Sequence, residues 1–535
     1  MAEGIFWADK LAKEVADREA RLKRVKEYRT EMGLGASGLP HVGNLSDAIR
    51  SYAVTLGLKD MKLPAVLIAF SDDRDGLRKV PAGFSNSLEK ELGKPVSEIP
   101  DPFGCHPSYG AHMTGLLMDA IEETGVKNYS FMSGAESYGK GLLNEQIEKI
   151  LFNEGRIKEI IRQEVGQDIP TLWMPICEKC GRIYTTRVTK FLPDEKSVEY
   201  SCDKDFEAKN VNTGKKIIVK GCGFRGAQSY LNGHGKLAWK VEIGARWAAL
   251  KVVFEAYGKE LIDSMRINDI ISREVLGWEP PVHAMYEHFT EKGGGKMSKS
   301  LGNVLTPQDW LRYGSPSSLR LLMLKRFTGA RELGPEDIPT YMEEMDRLEK
   351  VYNGKEDVEN EKELSHLKRL FEYAHFLDKP KPSLGVPYHT LVSLVRMLPV
   401  EPEKKLKIIS DSLADMGAIP KQLDARQAEE LAKRIGYATA WVESEGLEAK
   451  PAKVKTKKEE KAALRELLKL LKSKKTGGEI QTELFEIARR NEMKTGELFK
   501  LIYRIILGSE RGPRAGPLME AIGKERVTKL IEQAL

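Results

Sequence analysis

Cysteine is scarce, five in 535 residues, and the count is odd. The opening MAEGIFWADKLAKEVADREAR also lacks the uninterrupted apolar core of a secretory leader. A disulfide framework is therefore not expected, and thiols that cluster are read first as metal ligands. No stretch approaches the roughly 18 consecutive apolar residues that crossing a bilayer requires, so a cytoplasmic protein without membrane contact is expected. Aromatic residues make up only 7% of the chain. There is no internal repeat and no strong overall charge, the net value being +6.

What is present is ordinary for an enzyme: 41% hydrophobic and 31% charged residues. The length exceeds what one hydrophobic core usually supports, so several domains are expected. The small positive charge is unevenly placed. Residues 451–535 carry 20 Lys and Arg against 12 Asp and Glu, a surplus of +8, which leaves −2 for the rest. A basic terminal module on a near-neutral body suits a polyanionic partner, and a solvated helical surface would carry the same charge.

Along the chain, residues 7–31 read as a charged amphipathic helix with Trp7, Leu11, Val15, Leu22 and Val25 on one stripe. A glycine-rich turn from Met32 to Asn44 follows. The next helical pattern sets Leu45, Ile49, Tyr52, Ala53 and Leu56 on its apolar side. Pro64–Phe70 has the length and composition of a buried parallel strand. Together these open a doubly wound sheet, which binds nucleotides at the carboxyl ends of its strands. Residues 171–235 break the rhythm with clustered Cys and Gly and a strand-like hairpin in GRIYTTRV. Sheet patterning resumes near 263–290, helical periodicity dominates beyond about 316, and the polar run 450–461 reads as a linker.

Two segments carry chemistry. Residues 38–44, GLPHVGN, join a glycine turn to a helix start, where free backbone N–H groups and the helix dipole favour phosphate. His41 and Asn44 add hydrogen-bonding side chains there, and Gly43 lets a nucleotide approach the backbone. Some 250 residues later, Lys296-Met-Ser-Lys-Ser300 sets two lysines three apart after a run of glycines, a loop suited to closing over a triphosphate. Either segment alone is weak evidence, since a turn histidine is often only a cap and a lysine loop only solvated. In this order on a nucleotide-binding sheet they reinforce each other.

The pair resembles the two signatures of the class I aminoacyl-tRNA synthetases, written HIGH and KMSKS. Further stretches narrow the match: ASGLPHVGN, FSDDRDGLRKVP (70–81), DPFGCH (101–106), ICEKCGRIYTT (176–186), KLAWKVEIGARW (236–247) and the run from KMSKS to TPQDWLRYGSPSSLRLLMLKRF. These look like the class I lysyl-tRNA synthetases. The resemblance covers most of residues 20–350 and the ERGPRAGP segment. It implies that ATP is bound by Gly38, His41, Gly43, Asn44, Lys296, Ser298 and Lys299. His41, Asn44, Lys296 and Lys299 would be catalytic, with Mg²⁺ arriving on the nucleotide. The substrates would be L-lysine, ATP and tRNA(Lys), the products lysyl-tRNA, AMP and diphosphate, and a monomer is expected.

A lysine pocket needs an acidic partner for the ε-ammonium and walls for a four-carbon stem. Glu242, Glu255, Asp263 and Asp269 are the acidic candidates. Trp239, Trp247 and Tyr257 are candidate walls, although each aromatic also reads as plain core. Gly33 and Trp239 match the family pattern and Gly35 stands where its threonine does, so Gly33, Gly35, Trp239 and Glu255 form the lysine-binding set. The family's Gly-Lys-Asp-His run is Gly258-Lys259-Glu260-Leu261 here, which leaves a pocket histidine missing or supplied elsewhere.

Cys177-x2-Cys180 followed by Gly181 is a zinc-knuckle turn, and Cys202 and Cys222 complete four thiolates within 46 residues. His234 is a reserve ligand. Asp101, Cys105, His106 and His112 form a second set. Adjacent Cys and His must splay to share a metal, but the lysine family carries these same four residue types. One or two structural Zn²⁺ ions are expected. Asp72, Asp73 and Asp75 are read as turn caps or substrate contacts rather than a metal site.

The expected architecture is an α/β, doubly wound Rossmann-type catalytic domain with zinc-binding insertions, an all-α stem and a C-terminal helical anticodon-binding domain. The catalytic domain runs over 1–98, 116–165 and 236–330, interrupted by a small metal-binding insertion at 99–115 and a zinc-ribbon-like one at 166–235. The stem spans 331–450 and the terminal domain 451–535. In the latter, Phe485, Phe499 and Tyr503 read as core residues. The alternatives are a class I synthetase for glutamate or arginine, and a non-catalytic tRNA-binding paralogue. A paralogue commonly loses the loop lysines, and both are retained here.

Overall fold

A computed structural model describes residues 6–290, 305–326, 329, 331–398, 402–444, 454, 456–473, 475–507, 510 and 514–535. Lys296, Ser298 and Lys299 lie outside the described residues. Among those described, no helix is long and apolar enough to cross a membrane.

Five strands form the central sheet: β1 (Tyr28–Leu34), β2 (Ala65–Ser71), β3 (Tyr129–Ser133), β4 (Val252–Gly258) and β5 (Val282–Tyr286). Their order is β5-β4-β1-β2-β3, and every pairing is parallel. The order reverses between β1 and β4, so a crevice is expected at the carboxyl ends of those two strands. The doubly wound expectation holds.

The helix read over 7–31 is shorter. Helix α1 (Trp7–Leu22) ends where Lys23 adopts the left-handed region at φ 51°, and the following residues form the central strand β1. Thr30, Glu31 and Met32 are all fully buried. Two polar residues in that trio hide the strand from a reading of apolar runs. Glu19, also buried, receives both Arg18 and Arg24 at 2.9 and 2.7 Å, which fixes the turn into β1.

Helix α2 (Leu45–Asp60) is buried well beyond its apolar face, although Leu56, expected on that face, is only half-buried and Asp60 is exposed. Ser46, Arg50, Ser51 and Thr55 are as hidden as Leu45 and Ile49. Polar groups so placed must be paired: the hydroxyls of Thr55 and Thr30 of β1 lie 2.6 Å apart, and Thr55 also donates to the Ser51 carbonyl. At Gly57 a Cβ would come within 2.9 Å of Ala12 Cβ on α1 and 3.0 Å of the Tyr373 hydroxyl.

The remaining helices that matter to the site are α3 (Tyr109–Glu123), capped by the Ser108 hydroxyl, α4 (Trp239–Leu250) and α5 (Ile262–Ile271). Between β3 and β4 lies a three-stranded antiparallel sheet of Arg187–Leu192, Ser197–Ser201 and Arg225–Ser229. The hairpin expected in GRIYTTRV thus starts only at Arg187, because residues 181–186 are the turn that carries the chain away from the first cysteine pair.

The chain divides into two compact units, and Glu359–Lys379, read as part of the stem, clusters with the first. There Arg369 holds both Asp9 and Asp60 at 2.8 Å. The second unit is helical and includes Ile338–Tyr352, Ala425–Ser444, Lys458–Leu471, Gly477–Arg490 and Thr495–Leu507. Phe485, read as core, is 50% exposed, its ring 5.5 Å from that of Phe499. It occupies the outer edge of an aromatic pair, which sequence spacing does not distinguish from the inner one.

Gly57→Leu forces four carbons between α1 and α2 and should cost about 2 kcal/mol. A shifted urea midpoint for the sheet-containing unit checks this; an unmoved midpoint contradicts the close approach.

Candidate active site

The turn after β1 positions the first group of side chains. Residues Val42–Asn44 make one 3₁₀ turn, and α2 starts directly behind it. The backbone N–H of His41 donates to Asn44 Oδ1 at 2.9 Å, so Asn44 locks the turn that His41 begins. A Cβ on Gly43 would stand 2.9 Å from the His41 ring. Glycine is required there if the imidazole is to keep its place. Gly38 is buried within the preceding bend.

A cleft of about 220 Å³ opens at this turn, lined by His41, Gly43, Asn44 and Asp47 on one side and Glu260, Tyr286, Glu287, His288 and Phe289 on the other. The residues after β5 were not singled out in the sequence, although their position at a strand's carboxyl end was a signal. Glu260 pairs with His288 at 2.9 Å. A histidine at position 288 thus faces Glu260 of the Gly258–Leu261 run. The Tyr286 hydroxyl donates to Asp47. Burial pushes the Asp47 carboxyl up to about 7 against the pull of that hydroxyl.

The residues that flank the lysine-bearing segment are described, although the segment itself is not. Before it, Phe289 lines the cleft; after it, the Leu305 carbonyl accepts from the Val42 N–H at 3.1 Å. Both flanks of residues 291–304 therefore stand at the glycine–histidine turn.

Deeper in the same unit is a cluster of buried charge. Arg246 of α4 is 2% exposed and reaches Glu31 of β1 at 2.9 Å, Asp72 after β2 at 2.8 Å and Glu255 of β4 at 3.8 Å. Lys236, equally buried, pairs with Asp75 at 3.0 Å and with Glu242, and the Tyr138 hydroxyl donates to Glu242 at 2.8 Å. One guanidinium can offset only one carboxylate. Burial accordingly pushes Glu31, Asp72 and Glu255 above the ordinary carboxylate range, while Arg246 pulls them down.

Of the four residues expected to bind the amino acid, Gly33 and Gly35 stand at the carboxyl end of β1, with nothing within 4 Å of where a Cβ would be. Trp239 opens α4, its ring 6.0 Å from the Arg246 guanidinium. Glu255 lies in the buried cluster with both oxygens engaged: one receives Trp247 Nε1, the other faces Arg246. Among the other candidates, Glu242 is in the cluster, Asp263 is exposed at a side-chain value of 63% and Asp269 pairs with His283 at 2.9 Å. Trp247 is core, and Tyr257 is half-buried beside His283. Asp73 accepts from Ala135 N at 2.7 Å and Ser133 Oγ at 2.5 Å. It thereby caps the short helix Gly134–Gly139, in keeping with the turn-cap reading.

Both candidate metal sets converge. Cys177, Cys180, Cys202 and Cys222 place their sulfurs within 4.8 Å of one another, with two contacts of 3.6 and 3.7 Å. Four sulfurs about 2.3 Å from one tetrahedral ion stand roughly 3.8 Å apart, so the set fits Zn²⁺. His234 is exposed and outside the set. Asp101, Cys105, His106 and His112 likewise gather their ligand atoms. Cys105 Sγ lies 3.2 Å from His106 Nδ1 and 3.3 Å from His112 Nδ1, so the adjacent residues do splay toward a common point.

A parallel sheet with a glycine–histidine turn at its switch point, feeding a cleft at the carboxyl ends of its strands, defines a nucleotide-binding enzyme of the doubly wound class. Comparison with known proteins narrows this. Residues 5–376 match the family model described as tRNA synthetases class I (K), and residues 422–535 match an anticodon binding domain. The chain belongs to the class I tRNA synthetases (K). A protein of Cenarchaeum symbiosum named Lysine--tRNA ligase is 43% identical, covering 99% of this chain and 98% of that one. One of the same name from Rickettsia prowazekii is 30% identical over 94% and 92%. Among solved structures, a glutamate-tRNA synthetase from Elizabethkingia anophelis aligns over 95% of this chain and 99% of its own with a TM-score of 0.46 and 14% identity.

The buried cluster sets a pH dependence of stability. A carboxyl held above its unfolded value contributes stability present at low pH and lost as pH rises through the native value. For Glu255 that loss starts near its ordinary 4.5. Glu255→Gln should flatten the fall of Tm with pH above that point; an unchanged slope would show that Glu255 ionises normally.

Proposed function

We propose that this chain activates L-lysine with ATP and transfers it to tRNA(Lys). The observation that carries the proposal is the position of the second motif's flanks: Leu305, through its hydrogen bond to Val42, and Phe289 both stand at the His41 turn. The naming of the full-length relatives supports lysine as the amino acid, and the anticodon-binding match supports tRNA as its acceptor.

In the first step the substrate carboxylate attacks the α-phosphorus of ATP, and the bond to diphosphate breaks. Charge develops on the departing oxygens, and fixed positive groups there lower the barrier. His41, Gly43 and Asn44 hold the nucleotide beside Gly38, and Ser298 meets it from the loop. The carboxylates Asp47, Glu260 and Glu287 line the cleft beside His41 and His288, and Lys296 and Lys299 supply the neutralising charge, with Mg²⁺ carried on the phosphates. No side chain need serve as nucleophile. In the second step a ribose hydroxyl at the tRNA end attacks the mixed anhydride and AMP leaves. The basic terminal domain supplies phosphate contacts for that acceptor. We place the reaction in the cytoplasm, where its tRNA partner resides.

The test is ATP–diphosphate exchange with each of the twenty amino acids in turn. Lysine alone is expected to support it, and Lys299→Ala is expected to depress it by orders of magnitude. Exchange driven by glutamate or arginine instead would overturn the substrate, and no exchange at all would favour a tRNA-binding paralogue.

The four thiolates and the Asp-Cys-His-His set would each hold one structural Zn²⁺, with no open position for chemistry. Elemental analysis should find two zinc ions per chain. Cys202→Ser and His112→Ala should each remove one independently; a zinc content untouched by either substitution would sink that assignment.

A further inference from the structure

On β1 Glu31 and Gly33 stand on the same face, because the strand period is two. In register with Glu31 is Glu255 of β4, and Glu255 is in turn in register with His283 of β5. Gly33 is in register with Phe70 of β2. The face therefore carries a row of ionisable groups with a vacancy one step nearer the carboxyl edge, where glycine leaves open space. Phe70 borders that space, the Arg246 guanidinium lying 4.6 Å from its ring.

Of the three carboxylates around Arg246, Glu255 has both oxygens engaged and Asp72 takes Arg246 through Oδ1. Glu31 differs. Its side chain is fully buried, Oε1 meets Arg246 at 2.9 Å, and Oε2 has no hydrogen-bond partner among the described residues. An uncompensated carboxylate oxygen at full burial is costly unless a ligand completes it. The neighbourhood holds five acids, Glu31, Asp72, Asp75, Glu242 and Glu255, against two bases, Lys236 and Arg246. It is short of positive charge.

We propose that Glu31 is the specificity-determining anion of the amino-acid site, receiving the substrate's ε-ammonium through the vacancy over Gly33, and that Arg246 is the positioning residue that aims it. Two residues along a strand span roughly 6–7 Å, about the reach of a four-carbon stem whose α-carbon stays at the carboxyl edge beside the nucleotide turn. The site thus measures length as well as charge. Burial holds the Glu31 carboxyl above the ordinary range, and an added cation beside it offsets that penalty, which a neutral side chain does not do. This inference rests on the lysine-activating reading and adds to the expected set a carboxylate one strand away from Glu255.

Exchange kinetics of the full chain test it with lysine, norleucine, ornithine and homolysine. Glu31→Gln should raise the lysine KM roughly 10- to 100-fold, leave the ATP KM unchanged, and erase most of the preference for lysine over norleucine. Glu31→Asp withdraws the carboxylate by one methylene, so homolysine should gain on lysine while ornithine loses further. Arg246→Lys should raise the lysine KM without shifting that length preference. Unaltered lysine KM and lysine/norleucine ratio in Glu31→Gln overturn the proposal, as does an unshifted length preference in Glu31→Asp. Failure of the unsubstituted protein to use lysine would instead overturn the activity beneath it.

Discussion

The catalytic unit is organised around one guanidinium. Arg246 extends from α4 to carboxylates on β1, on β4 and just past β2, and so joins the two halves of a sheet whose connections run outward in opposite directions from its centre. Electrostatics alone would favour a single partner. Supplying three leaves carboxylates that cannot all be ionised together, and that imbalance gives this region an appetite for another cation. The crevice is opened by backbone topology, and its charge is set by one side chain.

Two recognition tasks are separated in the proposed site. The nucleotide falls to the turn after β1, which a backbone hydrogen bond from Val42 ties to Leu305 without help from any side chain. The amino acid falls to strand residues within the sheet, which have far less freedom. A site built on strands holds its geometry better than one built on loops, and discrimination among amino acids of similar length calls for that accuracy.

Much of this was legible in the sequence, and the reasons for the rest are physical. Glycine turns, lysine loops and cysteine pairs are local signals that can be read without tertiary structure. Glu31 was hidden because a buried acid inside a strand contradicts apolar patterning, and the same residue disguised β1 as the tail of a helix. Arg246 lay inside a quoted stretch, but its three partners are separated by up to 224 residues, a convergence that no spacing rule reveals. His288 could have been suspected from its place just beyond a strand. The half-exposed ring of Phe485 could not, since helical periodicity identifies a face and not its margin.

The extensive burial of α2 has an evolutionary consequence. A rod packed around most of its girth cannot slide or tilt without opening a void at one flank and a collision at the other. The turn at its head is therefore braced by the packing of the helix behind it. Residues along α2 are therefore free to vary only in matched exchanges with α1 and β1, and divergence of this segment should proceed by compensating pairs.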